Sequence, residues 1–282
     1  MASKVIQPTR WAIFRSYAKR ATLFPLEAAL ESLHPQLDLR NPPRRVDPNH
    51  RGNFLGIGRE FREHFIDLGG LRPDHTVLDI GSGCGRMAVP LLDYLNTGTY
   101  DGIEIMKKSV TWCRRAITAR HPNFRFHHAD VFNHAYNPIG HAKAEDYQFP
   151  FSDHTFDFVL LTSVFTHMLP LAIDNYLREV SRVLKPSGTC FATWFLLDAE
   201  AKDLSRTHKE PLDFQFDFGL YRSVDSNIPE RAVAYDQEHV LGLYGRNSLT
   251  PRLPPYYGSW CGRERPVSFQ DIIIATSKEK PQ

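Results

Sequence analysis

The chain has 282 residues, of which 42% are hydrophobic and 23% charged, a composition that excludes a disulfide-stapled miniprotein, a collagen-like chain and wholesale disorder. Its 34 Lys and Arg residues against 32 Asp and Glu leave a net charge of +2, so no whole-molecule field favours nucleic acid as a partner. Four dispersed cysteines without a C-x-x-C pair predict a reduced, cytoplasmic protein, and no apolar run reaches the roughly 18 residues that stable membrane insertion requires.

The first part of the chain, residues 1–55, is predicted to form a helical cap or lid. Residues 41–52 (NPPRRVDPNHRG) interrupt both helical and strand periodicity, and they mark the join to a main domain over residues 56–282. The basic, acid-poor stretch before Glu27 also suits a transit peptide or a membrane-surface helix. Apolar side chains such as Trp11 and Phe14 favour packing on the main domain instead, where we expect the cap to cover bound ligands.

Short apolar runs alternate with helical stretches along the rest of the chain. The predicted strands are residues 76–80, 100–105, 124–128, 156–161, 189–195, 231–235 and 270–276. Helices are predicted at residues 61–71, 87–95 and 172–184, the last from apolar residues at steps of three and four. This alternation predicts an α/β fold with a doubly wound, mostly parallel sheet that has helices on both faces.

A glycine-rich loop, Gly81-Ser82-Gly83-Cys84-Gly85-Arg86, follows the first predicted strand. Glycines permit positive φ angles and let a ligand approach the backbone closely. The pattern is G-x-G-x-G, and Arg86 stands where the dinucleotide fingerprint requires its third glycine. The loop therefore predicts a nucleotide-containing ligand without choosing between a nicotinamide dinucleotide and another one.

Acidic residues follow the next two predicted strands. Glu104 ends the second strand, at the spacing expected for an acid that accepts hydrogen bonds from a ribose diol. Asp130 follows the third strand, where it is placed to accept a hydrogen bond from an adenine amino group, although Asp also caps helices and forms turns. Ligands of doubly wound sheets bind at these carboxyl ends of the strands.

Five segments in this order resemble the class I S-adenosylmethionine-dependent methyltransferases. They are VLDIGSGCGR (77–86), YDGIEI (100–105), HHADVF (127–132), FPFSDHTFDFVLLTSVFTHM (149–168) and REVSRVLKPSGTCFATW (178–194). A looser resemblance, through SVFTHMLP and FQDIIIA, points to bacterial methyltransferases of sugars and other small molecules. The resemblance implies a seven-stranded sheet with an antiparallel edge strand.

The resemblance also implies that S-adenosylmethionine is the cofactor and S-adenosylhomocysteine the product. Asp79 would act toward the ammonium group, Glu104 would hold the ribose hydroxyls, and Asp130 would meet the adenine. The full set of implied cofactor residues is Asp79, Gly81, Ser82, Gly83, Gly85, Glu104, Ile105, Asp130, Val131 and Thr162.

His167 is the candidate catalytic residue. An alcohol must lose its proton to attack a methyl group, and a histidine with a pKa of about 6.5 is suited to accept that proton at neutral pH. We therefore predict in-line O-methylation of a hydroxyl on a small molecule or sugar, with N- or C-methylation as the alternative. A hydrogen-bonded structural histidine is equally compatible with the sequence. The other histidines lack ligand-like spacing, so no metal site is predicted.

Acceptor recognition is expected from two insertions, near residues 196–229 and 245–266. The candidate substrate-binding residues are Arg86, Tyr221, Tyr257, Trp260 and Arg263, because aromatic faces and guanidinium groups bind rings and anions. The same side chains could instead pack the loops. A nicotinamide-dependent oxidoreductase and a non-catalytic cofactor-binding protein remain open as alternatives, and a homodimer is compatible with the sequence.

Overall fold

The structure is a computed structural model that describes residue 42 and residues 53–207 and 212–278. Two sheets and five α-helices make up these residues. The strands are β1 Thr76–Ile80, β2 Thr99–Glu104, β3 Phe124–His128, β4 Phe156–Leu161, β5 Leu184–Trp194, β6 Leu196–Leu197, β7 Phe216–Asp217, β8 Tyr221–Ser223, β9 Val233–Asp236, β10 Leu249–Pro251 and β11 Asp271–Ser277. The helices are α1 Phe54–Asp67, α2 Lys107–Cys113, α3 Pro170–Val183, α4 Ala199–Thr207 and α5 Gln237–Arg246.

The main sheet has seven strands in the order β10-β11-β5-β4-β1-β2-β3. The five strands from β5 to β3 pair in parallel, whereas β11 pairs antiparallel with both β5 and β10. One hydrophobic cluster on this sheet includes residues of α1 and α2, and another includes residues of α3 and α5. The predicted doubly wound fold with an antiparallel edge is thereby confirmed.

Helix α3 illustrates why the sequence pattern was informative. Its residues Ile173, Leu177, Val180 and Val183 are fully buried at steps of three and four. Pro170 stands in the first turn, where no hydrogen bond from its nitrogen is needed. The helix begins two residues before the predicted start and leads directly into β5.

Two other predicted helices differ from the structure. Residues 87–95 form only a short 3-10 helix, Val89–Leu91, because Pro90 within it has no N–H to donate. The helix predicted over residues 61–71 begins already at Phe54, where the Asn53 side chain accepts a hydrogen bond from the Gly56 N–H at 3.0 Å.

The predicted strand 231–235 was assigned to the wrong sheet. Strand β9 belongs to a second, four-stranded sheet in the order β6-β9-β8-β7, in which β6 and β9 are parallel. The edge of the main sheet is β10, which lies inside the predicted insertion 245–266. Strand β10 has three residues and ends in Pro251, so it carries too little apolar sequence to be recognised.

The two sheets are joined by a single residue. Strand β5 ends at Trp194 and β6 begins at Leu196, while Phe195 between them accepts a hydrogen bond through its carbonyl from the Tyr235 N–H at 2.9 Å. A separate hydrophobic cluster supports this junction and contains Phe195, Leu197, Phe214, Ala234, Trp260 and Cys261. The second sheet therefore continues from the carboxyl end of the main sheet.

Of the predicted cap over residues 1–55, only Pro42 and residues 53–55 belong to the described part of the chain; the rest lies outside it, and the cap stays a prediction. Within the described ranges, no helix is long and apolar enough to cross a bilayer. The same ranges contain no group of three or more His, Cys, Asp or Glu residues arranged to hold a metal ion.

Candidate functional site

The glycine loop turns sharply at the carboxyl end of β1. The N–H groups of Gly81 and Ser82 both donate to the Ile103 carbonyl, at 2.8 and 3.0 Å. Gly81, Gly83 and Gly85 have φ angles of +76°, +52° and +79°, which residues with a Cβ atom adopt only with strain. These contacts fix the loop against β2 and leave its outer side to a ligand.

The loop has one closed and one open position. A Cβ atom on Gly81 would lie 2.5 Å from Cγ2 of Val164, so the loop and the segment after β4 are in close contact. A Cβ atom on Gly83 would meet nothing within 4 Å. Gly83 therefore borders free space into which a ligand fits.

Glu104 is held directly beneath this loop. Its carboxylate accepts hydrogen bonds from the Gly83 N–H at 2.8 Å and from the Met106 N–H at 2.7 Å, and only 5% of the residue is exposed. Burial raises the pKa of Glu104, and the backbone donors oppose that shift. The acid thus lies beside the open position of the loop.

Asp79 is a fully buried carboxylate in β1. Its Oδ2 accepts a hydrogen bond from the Tyr100 hydroxyl, whereas no described residue donates to its Oδ1. The Oγ of Ser82 in the loop is likewise buried without a described partner. Burial raises the pKa of Asp79 to about 7, although the Tyr100 hydrogen bond lowers it. Two buried polar atoms without partners beside a glycine cradle fit a ligand that brings its own polar groups.

The remaining predicted cofactor residues line the same edge of the sheet. Glu104 of β2 pairs in register with His128 of β3, so Ile105 and Asp130, which follow these strands closely, lie side by side. Asp130 is exposed, and its Oδ2 lies 2.6 Å from Nδ1 of His141. Val131 is buried, while Ile105 and Thr162 are half-buried.

His167 lies on the 3-10 helix Phe165–His167, which follows β4 and the Val164 contact with the glycine loop. Its Nδ1 lies 2.9 Å from the Glu230 carbonyl oxygen, and its Nε2 lies 3.4 Å from the Tyr136 hydroxyl. Burial lowers the pKa of His167. The ring is therefore fixed from both sides and neutral at pH 7.

Comparison with known proteins agrees with this geometry. The sequence profile of a family described as "Methyltransferase domain" matches residues 77–188. A fatty-acid O-methyltransferase of Mycolicibacterium smegmatis is 29% identical over 112 residues, which cover 40% of this chain and 34% of that protein. The match thus spans about a third of that relative's length.

Solved structures share the fold. A methyltransferase of Methanosarcina mazei described as S-adenosylmethionine-dependent superposes with a TM-score of 0.51 at 17% identity, covering 76% of this chain and 98% of that one. A protein of Pyrococcus horikoshii gives a TM-score of 0.56 at 17% identity, with 85% and 97% coverage of the two chains. Residues 77–188 therefore match a methyltransferase domain, and the fold is that of solved methyltransferases described as S-adenosylmethionine-dependent.

The match to a methyltransferase domain favours S-adenosylmethionine over a nicotinamide dinucleotide as the cofactor. The buried acceptor atoms of Asp79 and Glu104 fit the ammonium group and ribose of S-adenosylmethionine, and the open side of Gly83 fits its methionine chain. The assignment of each contact, including the predicted adenine contact of Asp130, stays a prediction.

Among the candidate acceptor residues, Tyr221 lies on strand β8 of the second sheet. Its ring is half-buried, stacks on Phe218 at a centroid distance of 4.9 Å, and contacts the Tyr235 ring at 5.8 Å. Arg86 is half-buried and lies over the Phe54 ring at 5.7 Å, next to α1. Both remain predicted acceptor contacts.

Tyr257, Trp260 and Arg263 instead belong to a buried ion-pair network. Asp271 accepts hydrogen bonds from Trp260 Nε1 at 2.7 Å and Arg263 Nη1 at 3.2 Å. The Arg263 guanidinium also contacts Asp198 and Glu200 and lies 4.2 Å from the centroid of the Tyr257 ring. The Trp260 indole N–H and the Arg263 guanidinium thus bind carboxylates of this chain, which supports a structural role for both residues. Their contacts with an acceptor stay a prediction.

Two residues of the site were missed by sequence reasoning. The loop after β3 closes on itself through bridges Val131↔Ala142 and Asn133↔Asn137, and it brings Tyr136 to His167. The Asn133 amide nitrogen also donates to the His167 carbonyl at 3.3 Å. Glu230 reaches the same ring from the segment before β9. Neither residue has a recognisable motif, since only the tertiary fold brings these three segments together.

Proposed function

We propose that this methyltransferase transfers a methyl group to a hydroxyl oxygen of a small molecule or sugar, with His167 as the general base. The observation that carries the proposal is the environment of the ring. A carbonyl oxygen only accepts hydrogen bonds, so Nδ1 carries the proton and Nε2 of the neutral ring carries an electron pair, which the Tyr136 hydroxyl contacts at 3.4 Å. That electron pair is what a general base requires.

S-adenosylmethionine, when bound, supplies an electrophilic methyl group. Val164 in contact with Gly81 brings the His167 segment against the cofactor loop. As the acceptor oxygen takes up this methyl group from the sulfonium sulfur, Nε2 of His167 would accept the proton that the hydroxyl loses. The hydrogen bond from Nδ1 to the Glu230 carbonyl holds the ring in place and stabilises the charged imidazolium.

The test is methyl transfer by His167→Ala and His167→Gln, with S-adenosylhomocysteine affinity as the control. We expect kcat to fall by about 10²- to 10⁴-fold, the usual contribution of a positioned base. S-adenosylhomocysteine should bind both variants as tightly as it binds the wild type. In the wild type, kcat/KM should decline as the pH falls through the His167 pKa, which burial places below its usual 6.5. Unchanged rates in both variants would exclude His167 as the base.

A carboxylic acid is the second candidate acceptor, because the relative from Mycolicibacterium smegmatis is named a fatty-acid O-methyltransferase. A carboxylate is already ionised above a pKa of about 4, so its methylation needs no base. Methylation of palmitate that persists in His167→Ala would support this candidate. Loss of all transfer in that variant favours the hydroxyl acceptor.

The sequence also supports two further proposals, a cytoplasmic location and assembly as a homodimer. The four cysteines are free and buried, which agrees with a reducing compartment. Light scattering of the purified protein measures its mass in solution and decides between a monomer and a dimer.

A further inference from the structure

Glu230 has a buried carboxylate oxygen without a partner. The residue lies on the 3-10 helix Pro229–Arg231 ahead of β9, and only 7% of it is exposed. No described residue donates a hydrogen bond to its Oε2. A buried carboxylate without donors destabilises a fold, so such a group is a signature of a site whose ligand supplies them.

Glu230 contacts the proposed base through its backbone. Its carbonyl oxygen lies 2.9 Å from Nδ1 of His167, so the carboxylate lies within the length of one glutamate side chain of that oxygen. Tyr221 lies close enough that the charge of Glu230 helps to raise the pKa of its hydroxyl. Thr166, next to His167, has a buried hydroxyl with no partner among the described residues. Two unpaired polar atoms, on Glu230 and Thr166, thus belong to the segments that contact or carry the base.

We propose that Glu230 binds a second hydroxyl group of the acceptor, so that the preferred acceptor carries two neighbouring hydroxyls. This inference rests on the proposed O-methylation of a hydroxyl by His167. One hydroxyl gives its proton to Nε2, while the other donates a hydrogen bond to Oε2 of Glu230. An acceptor with a single hydroxyl leaves the carboxylate unpaired, and a fatty acid brings a second negative charge against it. The site therefore selects diols over monohydroxyl compounds and over carboxylic acids.

Catechol and phenol are a matched pair of probes, because they differ by one neighbouring hydroxyl. The measurement is calorimetric titration of the full chain saturated with S-adenosylhomocysteine, which needs no turnover. We expect the wild type to bind catechol at least about tenfold more tightly than phenol, because losing a hydrogen bond to a buried charged group commonly has an effect of this size. Palmitate should bind more weakly than catechol.

Three variants test whether Glu230 is the source of the preference for catechol over phenol. Glu230→Leu removes the acceptor oxygens and should reduce the catechol preference to within twofold, whereas Glu230→Gln keeps the size and one acceptor oxygen and should retain part of it. The matched control Glu63→Gln changes an exposed carboxylate on α1 and should keep the full preference. Both Glu230 variants should unfold at or above the wild-type temperature without ligand, since the unpaired charge is gone. A lower unfolding temperature would indicate a structural role and overturn the proposal.

The remaining outcomes separate the inference from the proposed function. The inference is overturned if the wild type binds neither probe, shows no preference, or binds palmitate as tightly as catechol, and also if Glu230→Leu retains the preference. Equal methylation of phenol and catechol that depends on His167 leaves the proposed function in place and removes only the role of Glu230. Selective catechol binding together with an unchanged methylation rate in His167→Ala would leave the role of Glu230 in place and remove only the role of His167 as the base.

Discussion

Asp79 keeps its position through a hydrogen bond from a phenol that is itself immobilised. Tyr100 is fully buried and stacks on the Phe124 ring at a centroid distance of 5.1 Å. Its hydroxyl donates to Oδ2 of Asp79, and Oδ1 has no partner among the described residues. If Oδ1 binds the cofactor ammonium group as predicted, we expect Tyr100 to act on the cofactor through Asp79, as a positioning residue.

Tyr100→Phe should weaken S-adenosylhomocysteine binding by about tenfold at pH 7, because a hydrogen bond to a charged group contributes about 1.5 to 3 kcal/mol. Without this donor the pKa of Asp79 rises further above about 7, and less of the carboxylate is ionised. Calorimetric titration between pH 6 and 8.5 should show wild-type affinity increasing through the Asp79 pKa, and the variant's curve displaced to higher pH.

Methylthioadenosine, which lacks the ammonium group, is the control ligand for Tyr100→Phe. Its affinity should be the same for wild type and variant. If the variant lost affinity for both ligands equally, Tyr100 would support the pocket as a whole rather than the ammonium contact.

Sequence motifs predicted the residues that lie close together along the chain, and they missed those that only the tertiary fold brings together. Gly81, Gly83 and Glu104 were predictable because one strand-and-loop motif fixes their spacing. Tyr136 and Glu230 were not, since three distant segments bring them to His167. Arg263 was predicted as an acceptor contact because the sequence does not show that Asp198, Glu200 and Asp271 surround it.

The glycine loop offers an element-scale experiment with a built-in control. Gly81→Ala forces a Cβ atom to within 2.5 Å of Val164, so it should destabilise the protein by about 1 to 3 kcal/mol and weaken the binding of the cofactor. Gly83→Ala places its Cβ in open space and adds only backbone strain of about 1 to 2 kcal/mol. Urea unfolding together with S-adenosylhomocysteine titration compares the two.

For Gly83→Ala we expect a larger loss of affinity than of stability, because the added methyl group enters the ligand space. Equal affinity in wild type and Gly83→Ala would mean that the cofactor lies elsewhere than beside Gly83.

The Asp271 network attaches strand β11 to the second sheet. Asp271 accepts hydrogen bonds from the Leu196 and Gly258 N–H groups, both at 2.7 Å, in addition to those from Trp260 and Arg263. Burial raises the pKa of Asp271 to about 6 against these donors. A network of this kind holds loops in place. It uses the same aromatic and basic residue types as a binding surface, so the sequence alone does not distinguish the two.

Arg263→Met should lower the free energy of unfolding by about 3 to 5 kcal/mol, because it leaves buried carboxylates without their counter-charge. S-adenosylhomocysteine affinity of the folded variant should stay unchanged. Arg246→Met, at the exposed end of α5, is the matched control and should change stability by no more than about 0.5 kcal/mol. Urea unfolding measures the stability of both variants, and a stable Arg263→Met protein that fails to bind acceptor would support the predicted recognition role of Arg263.

Element boundaries followed the sequence wherever an apolar run was long enough to specify both its period and its ends. Strands β1, β3 and β4 match their predicted ranges. Strands β1 and β4 are short, mostly apolar runs, as buried parallel strands are, whereas β3 alternates buried and more exposed residues. Strand β9 is an apolar run of the same kind with a different partner. Pairing partners are set by the connection through Phe195, which no local pattern reveals.

At the scale of the whole molecule, cofactor binding and stability compete at Asp79. The pKa of Asp79 is about 7 in the folded protein against 3.8 ordinarily, so folding favours the protonated form. The resulting stabilisation is fully present below pH 3.8 and is lost as the pH rises through about 7. The ligand-free protein therefore loses stability through this group toward alkaline pH.

Asp79→Asn mimics the protonated form and keeps an oxygen for the Tyr100 hydroxyl. At pH 8 without ligand it should unfold at a higher temperature than the wild type, by about 2 to 4 °C for each kcal/mol recovered. The difference should shrink as the pH is lowered toward 5.5. Saturating S-adenosylhomocysteine should raise the wild-type unfolding temperature, in line with about 2.7 kcal/mol at a hundredfold excess over Kd, but not that of the variant. Calorimetric scans check both, and a less stable variant at pH 8 would contradict the competition.

The passage of one strand from the main sheet into the second has a consequence for how an acceptor enters. Only Phe195 lies between β5 and β6, and the Leu196 N–H donates a hydrogen bond to Asp271. The second sheet, with Tyr221 and the nearby Glu230, is therefore continuous with the main sheet that carries the glycine loop. We expect the two sheets to move together rather than as separate domains. Among the described segments that contact His167, the loop after β3 is the one bridged to itself rather than paired with either sheet. If His167 is the base, we expect this loop, which carries Tyr136, to be the segment whose replacement changes the rate of acceptor binding and product release while leaving cofactor affinity unchanged.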